Sequence, residues 1–260
     1  MLLPIRDYGD WARLPRLSEA RLLRFPFLVG PFLVGLTLAV SLVACTQSPT
    51  YLLKPGAQRP SHARVLLMPI DVELYELTAG GLLEPKADWT ATTREQLFVE
   101  IRQRVESRRH ESVGYRLLPG QSAVPLEDVH LAKLHQTIIQ TILTHAYDER
   151  YRLPTKPDRL DYSLGAGTTS WQNRFDADYA LFVSIRASAP SPDRASAAVS
   201  FAIRGRYLST GHSFMVASLI DLRSGEVVWC NLLRTISAVD LRDSPHVQAA
   251  VHTLLDGLPL

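Results

Sequence analysis

Three histidines on one predicted helix are the first residues of this sequence that suggest metal chemistry. His130, His135 and His145 lie in a segment with helical periodicity. Histidines that share a metal ion on a helix stand three or four residues apart, so that both rings point the same way. Here the separations are five and ten residues, and the sequence has no H-E-x-x-H motif and only two cysteines. We therefore predict solvated or capping histidines, with no metal site and no cofactor.

A short glycine-containing segment suggests a second kind of site. Gly165 and Gly167 precede a predicted short helix, and backbone N–H groups at a helix start can hold an anion. The segment lacks the third glycine of a dinucleotide fingerprint and the Gly-Lys-Ser/Thr of a phosphate loop. We interpret it as a loop that turns the chain into the helix.

Nucleophilic and acid/base catalysis have equally little support. The sequence has no G-x-S-x-G motif, and Cys230 stands beside Trp229 in a predicted strand, which is typical of a buried thiol. Asp71, Glu73 and Glu76 follow the first strand and are interpreted as solvated carboxylates. We thus predict no catalytic residue and expect a protein that is not an enzyme. A periplasmic hydrolase, with Ser and His residues not recognisable from their spacing, stays open as the alternative.

Composition excludes several classes of protein. The chain has 260 residues, of which 46% are hydrophobic and 21% charged, so it is neither disordered nor a multi-span membrane protein. Residues 1–44 hold five of the 28 basic residues and three of the 26 acidic ones, which leaves 23 of each in the remaining chain. A formally neutral domain gives no electrostatic reason to bind nucleic acid.

The amino terminus has the order of a secretory leader. Five arginines precede residues 25–44, which contain no charged side chain, and a basic segment followed by an apolar one is typical of signal peptides. Leu42-Val43-Ala44-Cys45 ends this run and resembles a bacterial lipobox. The resemblance implies that Cys45 is lipidated and becomes the mature first residue, so that lipid tethers the protein to a membrane.

An uncleaved signal anchor is the alternative, because twenty apolar residues are also long enough to span a bilayer. The arginines keep their side cytoplasmic in both cases, so Thr46 onward faces the periplasm. Thr46 takes the place of the Asp that retains lipoproteins in the inner membrane of enteric bacteria. By that resemblance the outer membrane is favoured over the inner one.

The remaining chain predicts one α/β (α+β) domain, a mixed β-sheet with helices packed on it. We assign residues 1–44 to the signal peptide, 45–63 to a lipidated tether and 64–260 to a single periplasmic domain. Residues 195–208 fit a helix or a strand, and that choice stays open. The predicted elements are strands at 64–72, 115–119 and 178–186, helices at 90–109, 125–146, 168–175 and 243–255, and an antiparallel hairpin at 214–233. Both strands of the hairpin are predicted to lie inside the sheet, which places Trp229 in the core. Its predicted turn has two residues, Ser224-Gly225.

Two segments carry a family resemblance. Residues 176–183 (Asp-Ala-Asp-Tyr-Ala-Leu-Phe-Val) and 216–229, which include Asp-Leu-Arg-Ser-Gly-Glu-Val-Val-Trp, resemble a signature of uncharacterised proteobacterial periplasmic lipoproteins. Those proteins look like the fold shared by the curli-pore lipoprotein CsgG and the amino-terminal domain of TolB. The resemblance spans about residues 64–234. It implies a non-catalytic binding or assembly component of an envelope or export system, with a protein partner whose identity and stoichiometry the residues do not indicate.

Lipidation at Cys45 is directly testable. Cys45→Ala removes the sulfur that would carry the lipid, so we expect an unprocessed precursor without lipid label. Metabolic labelling with a radioactive fatty acid, followed by membrane fractionation, measures both effects. Cys230→Ala is the matched control and should leave labelling unchanged. Processed, labelled, membrane-bound Cys45→Ala protein would contradict the assignment.

Overall fold

In the part of the chain that the structure describes, the sheet has eight strands, and five α-helices pack on it. The structure is a computed structural model that describes residues 51–156, 160–235 and 238–260. The predicted leader, Cys45 and the first tether residues lie outside the described residues. The strands are β1 (Leu52–Leu53), β2 (Arg64–Leu67), β3 (Asp71–Leu77), β4 (Leu83–Pro85), β5 (Glu111–Gly114), β6 (Tyr179–Pro190), β7 (Ser213–Asp221) and β8 (Val227–Thr235). The helices are α1 (Ala87–Glu106), α2 (Leu126–His145), α3 (Thr169–Phe175), α4 (Pro192–Ile203) and α5 (Ser244–Leu254).

The twelve-residue strand β6 is the centre of the sheet. Along one edge it pairs in parallel first with β2 and then with β3, and along the other it pairs antiparallel with β7. The order across the sheet is β1, β8, β7, β6, β2, β5, with β4 paired to β3. Parallel and antiparallel pairs together confirm the predicted mixed sheet of α+β class.

Helices cover both faces of the central strands. On one face, α1 and α5 pack against the sheet through Leu97, Ile101 and Val251. On the other face, α2 and α3 pack through Ile142 and Trp171. Because helices cover both faces, β7 and β8 are buried along most of their length. Strands buried on both faces have nearly continuous apolar sequences. Trp229 is fully buried, as predicted.

The predicted first strand is broken in two. Pro69 carries no N–H and cannot continue a ladder of hydrogen bonds, so β2 ends at Leu67 and β3 begins at Asp71. The predicted strand at 115–119 is wrong for a related reason. The strand in this region is β5, at 111–114, which pairs with β2. The last pair joins Gly114 to Leu67, and β2 ends there, so residues after Gly114 have no strand to pair with.

Two further stretches are settled by the structure. Residues 192–203 are helical, because Pro192 starts α4 and the Ser191 hydroxyl accepts a hydrogen bond from the Arg194 N–H at 3.2 Å. Leu52–Leu53, inside the predicted tether, forms β1 on the edge of β8.

The predicted hairpin forms, but its two-residue turn is wrong. The Asp221 N–H closes the hairpin by donating to the Glu226 carbonyl at 3.0 Å, and the four residues 222–225 form the loop inside this hydrogen bond. Gly225 has φ +74°, and a Cβ there would lie 2.2 Å from the Gly165 carbonyl oxygen. The loop therefore requires glycine for its backbone conformation and for a close approach of two backbones.

A matched pair of glycine substitutions separates these two requirements. Gly225→Val should lower the free energy of unfolding by more than about 3 kcal/mol, since the left-handed strain of about 1 to 3 kcal/mol is joined by a backbone clash. Gly120 also has positive φ but open space around its Cβ position, so Gly120→Val should show the strain alone. Urea unfolding measures both variants. Equal losses would show that the contact with Gly165 contributes nothing.

Candidate binding cleft

A cleft lies between helix α2 and the face of β6 and β7. Its volume is about 490 Å³, within the range of small-molecule and peptide-side-chain sites. Phe182 of β6 and Phe214 and Val216 of β7 form the floor, and Ile139 and Leu143 of α2 form the wall. The cleft is therefore mainly apolar, with a small number of polar groups placed within it.

His135 and Ser218 form the polar centre of the cleft. The His135 ring lies flat on Phe182, with centroids 3.6 Å apart and planes inclined by 15°. Its Nε2 atom lies 2.8 Å from the hydroxyl oxygen of Ser218, which stands in the middle of β7 and is 1% exposed. Burial lowers the pKa of His135 to about 3, so the imidazole is neutral near pH 7. The hydrogen bond joins two uncharged groups.

A buried carboxylate closes one end of the cleft. Asp128, in the first turn of α2, is 3% exposed. It accepts hydrogen bonds from the Trp171 indole N–H at 2.8 Å, from the Tyr115 hydroxyl at 2.5 Å and from the Arg174 guanidinium. Burial, and then the hydrogen bond to Asp128, raise the pKa of Tyr115 to about 12. These three donors stabilise the buried carboxylate of Asp128. They also attach α2 to α3, through Trp171 and Arg174, and to the chain after β5, through Tyr115.

An ion pair lies on the opposite rim. The Arg186 guanidinium donates to both carboxylate oxygens of Asp71 at 2.9 Å, and its Nε lies 3.3 Å from Glu73. The Ser184 hydroxyl also donates to Asp71, at 3.1 Å. The hydrogen bond to Glu73 raises the pKa of Tyr75. These groups are partly exposed, so their contribution to stability is small.

This arrangement differs from a catalytic triad in three ways. The carboxylates that line the cleft, Asp71 and Asp128, pair with arginines rather than with His135. A pKa near 3 makes His135 a weak base. Ser218 lies within the paired register of β7 and β8, where backbone N–H groups serve the ladder rather than an oxyanion. The geometry suits binding better than acyl transfer.

The other predicted positions lie apart from this polar centre. His130 is exposed, and the Nδ1 atom of His145 lies 2.6 Å from the Tyr151 carbonyl oxygen. Burial raises the pKa of the Cys230 thiol to about 12, in agreement with a core cysteine. Gly165 leads the chain into the short helix α3, as interpreted, and it also packs on the β7–β8 turn. Asp71 and Glu73 are exposed, as predicted, although both pair with Arg186. Glu76 is less exposed than predicted and pairs with Lys86 at 2.6 Å.

His135 is the main correction. Sequence analysis predicted a solvated or capping histidine, but the side chain points to the sheet because α2 turns this face toward Phe182 and Ser218. Ser218 was not identified from the sequence. A single hydroxyl within the apolar run Val216–Ile220 was the available signal, because a buried polar group requires a partner.

No group of three or more His, Cys, Asp or Glu side chains in residues 51–156, 160–235 and 238–260 is arranged to hold a metal ion. Within those same ranges, no helix combines the length and the apolar character that crossing a bilayer requires.

Comparison with known proteins gives only distant structural likeness. The sequence matches no protein family and no curated protein. The PelC dodecamer from Paraburkholderia phytofirmans is similar at 11% identity and a TM-score of 0.37, covering 81% of this chain and 98% of that chain. Lipoprotein GNA1162 from Neisseria meningitidis is similar at 14% identity and a TM-score of 0.29, with coverage of 75% and 99%. The C-terminal domain of LpoB from Salmonella enterica has 14% identity, a TM-score of 0.24 and coverage of 70% and 87%. At these scores the likeness assigns neither a family nor a function.

The low pKa of His135 predicts a loss of stability in acid. The unfolded chain binds a proton near pH 6.5, and the folded chain binds it only near pH 3, so stability falls as the pH drops between these values. Urea unfolding at pH 7 and at pH 4.5 measures how much free energy of unfolding is lost on acidification. His135→Gln should lose about 1 to 3 kcal/mol less than wild type between these two pH values. Exposed His130→Gln is the control. An unchanged pH dependence in His135→Gln would contradict the assignment.

Proposed function

We propose that this protein is a lipid-anchored, non-catalytic component of the bacterial cell envelope that binds an apolar segment of a partner protein in the cleft beneath α2. The anchor is supported by the leader that ends at Cys45. The binding role is supported by one observation above all, a cleft of about 490 Å³ with apolar walls and an uncharged polar centre. The outer membrane is the proposed location, since Thr46 follows the cysteine.

The chemistry of the cleft indicates the kind of segment that fits. Phe182, Phe214 and Val216 offer a floor for aliphatic or aromatic side chains. Gln136 and Gln140 stand exposed on α2 at the cleft, where their amides can pair with the backbone of an extended peptide. The rim charges Asp71 and Arg186 already neutralise each other. An uncharged, apolar peptide segment is the occupant that these groups match.

A photo-crosslinking experiment tests this proposal. A photoreactive amino acid at Gln136 or Gln140 should give one discrete cross-linked product with another protein in intact cells. Gln103, exposed on α1 against the opposite sheet face, is the matched control position and should give none. Ala132→Trp fills the cleft from an exposed helix position, so it should remove at least about nine tenths of the product without unfolding the protein.

The outcomes are distinct. Cross-links of equal yield from Gln103, or a product insensitive to Ala132→Trp, would show that the cleft is not the binding site. A product that contains two copies of this chain would replace the proposed partner by self-association.

A periplasmic hydrolase is the second candidate function. It is favoured by one observation, the 2.8 Å contact between His135 and Ser218. A fluorophosphonate probe forms a covalent adduct only with an activated serine, and we expect no adduct on the purified protein. An adduct on Ser218 that disappears in Ser218→Ala and His135→Gln would establish the hydrolase instead.

A further inference from the structure

One end of the sheet carries a cluster of exposed large side chains, which we call the apolar end. It consists of Leu82 in the β3–β4 turn, Leu83 at the start of β4, Val199 and Ile203 on α4, and Tyr207 after α4. Among the described residues, four of the five most exposed large hydrophobic side chains belong to it, with exposures from 62% at Val199 to 82% at Ile203. Clusters of this kind on a protein surface mark contact sites.

Helix α4 displays this surface without a role in the core. None of its residues is buried, yet the helix is fixed in place. Arg194 donates to the Ser209 carbonyl at 2.8 Å, and Ser191 caps the first turn. Val199 and Ile203 are four residues apart and share one helical face, which points away from the protein.

The charge around α4 complements an anionic surface. Residues 192–212, which comprise α4 and the segment after it, contain three arginines and one acidic residue, Asp193 in the first turn of the helix. Arg204 and Arg206 are exposed beside Ile203. A helix with an apolar face and flanking arginines is suited to the interface of a bilayer, where the apolar side chains enter the acyl boundary and the cations meet phosphate.

Strand directions place the chain's entry at the same end. β6 ends, β7 begins and β8 ends at the apolar end, and β1 runs antiparallel to β8. The chain that precedes Leu52 therefore enters β1 from the apolar end. Leu52 pairs with Cys230, five residues before the end of β8, which places that end about 17 Å beyond Leu52.

The length of the connection to Cys45 limits the distance to the membrane. Cys45 stands seven residues before Leu52, and seven extended residues span at most about 24 Å. A bilayer surface at Cys45 and the apolar end thus come within about 10 Å of each other when the connection is extended along β8. A shorter path brings them into contact.

We propose that the apolar end docks on the membrane leaflet that holds the lipid of Cys45, with Val199 and Ile203 inserted among the acyl chains and Arg204 and Arg206 at the phosphates. This inference rests on the proposed lipid anchor. The anchor and the inserted helix form two attachments, which together fix the orientation of the protein on the membrane.

Fluorescence quenching tests the docked orientation. The lipidated Cys45 sulfur is blocked and Cys230 is buried, so Ile203→Cys takes an environment-sensitive maleimide dye at one site. The full-length protein is reconstituted in vesicles of phosphatidylethanolamine and phosphatidylglycerol at 3:1, with and without brominated acyl chains. We expect brominated lipid to quench the dye at position 203 by at least about half. Arg223→Cys, in the turn at the opposite end, is the control and should not be quenched.

Each outcome decides between the anchor and the docked helix. Protein that floats with the vesicles but shows no quenching at position 203 keeps its anchor and overturns this inference alone. Protein that does not float overturns the lipid anchor and the inference with it. A dye shielded from aqueous iodide but not quenched by brominated lipid indicates contact with a second copy of the chain, which also overturns the proposal.

A charge substitution gives an independent readout. With the dye at Val199→Cys, a second change of Ile203→Glu should abolish quenching by brominated lipid, because a carboxylate is excluded from the acyl region. Val99→Glu, at an exposed position of α1, is the matched change and should leave quenching intact. Equal quenching in both variants would contradict insertion of α4.

Discussion

Burial of the central strands on both faces is the constraint on which this structure depends. Buried polar side chains in this region generally require a partner, and the covering elements supply several of them, although the Trp229 indole N–H has none among the described residues. Thr93 of α1 donates to the Leu241 carbonyl at 2.9 Å, and Asn231 of β8 donates to the Leu254 carbonyl at 2.8 Å. The same requirement joins Ser218 to His135. Apolar contacts between a helix and the sheet are nondirectional and do not by themselves specify the position of the helix. These hydrogen bonds fix that position.

Helix α2, which forms the wall of the cleft, is held by side-chain hydrogen bonds near its two ends and by His135 and apolar side chains along its middle. Near the first end, Asp128 holds Trp171, Tyr115 and Arg174. Beyond the other end, the Tyr147 hydroxyl donates to the Cys230 carbonyl at 2.8 Å. Between these attachments the helix rests on the sheet through His135 and a few aliphatic side chains, which leaves room for an occupant. Removal of one partner from a buried charge cluster is strongly destabilising, so the end of the cleft at Asp128 is also a principal source of its rigidity.

The fold was largely predictable, and the site was not. Apolar runs and helical spacing located the hairpin, α2 and the mixed sheet, because periodicity reflects burial directly. The single predicted strand at 64–72 gave no sign that β6 would pair with two strands in succession. His135 could not be assigned from its spacing to other histidines, because its partner Ser218 is 83 residues away along the chain. Long-range pairing of this kind depends on where α2 crosses the sheet, which no local pattern contains.

The shortness of β1 has a mechanical consequence. β1 has only two residues, Leu52 and Leu53, and Lys54 adds one more backbone hydrogen bond to Val228 at 2.9 Å. A pull on the chain before Leu52 loads this small contact first, whereas β7 and β8 are joined over nine residues each. β1 is therefore the weakest link under tension, and it yields before the core does. Its release would free the edge of β8 at Trp229 and Cys230, the two residues that β1 covers, for pairing with another strand.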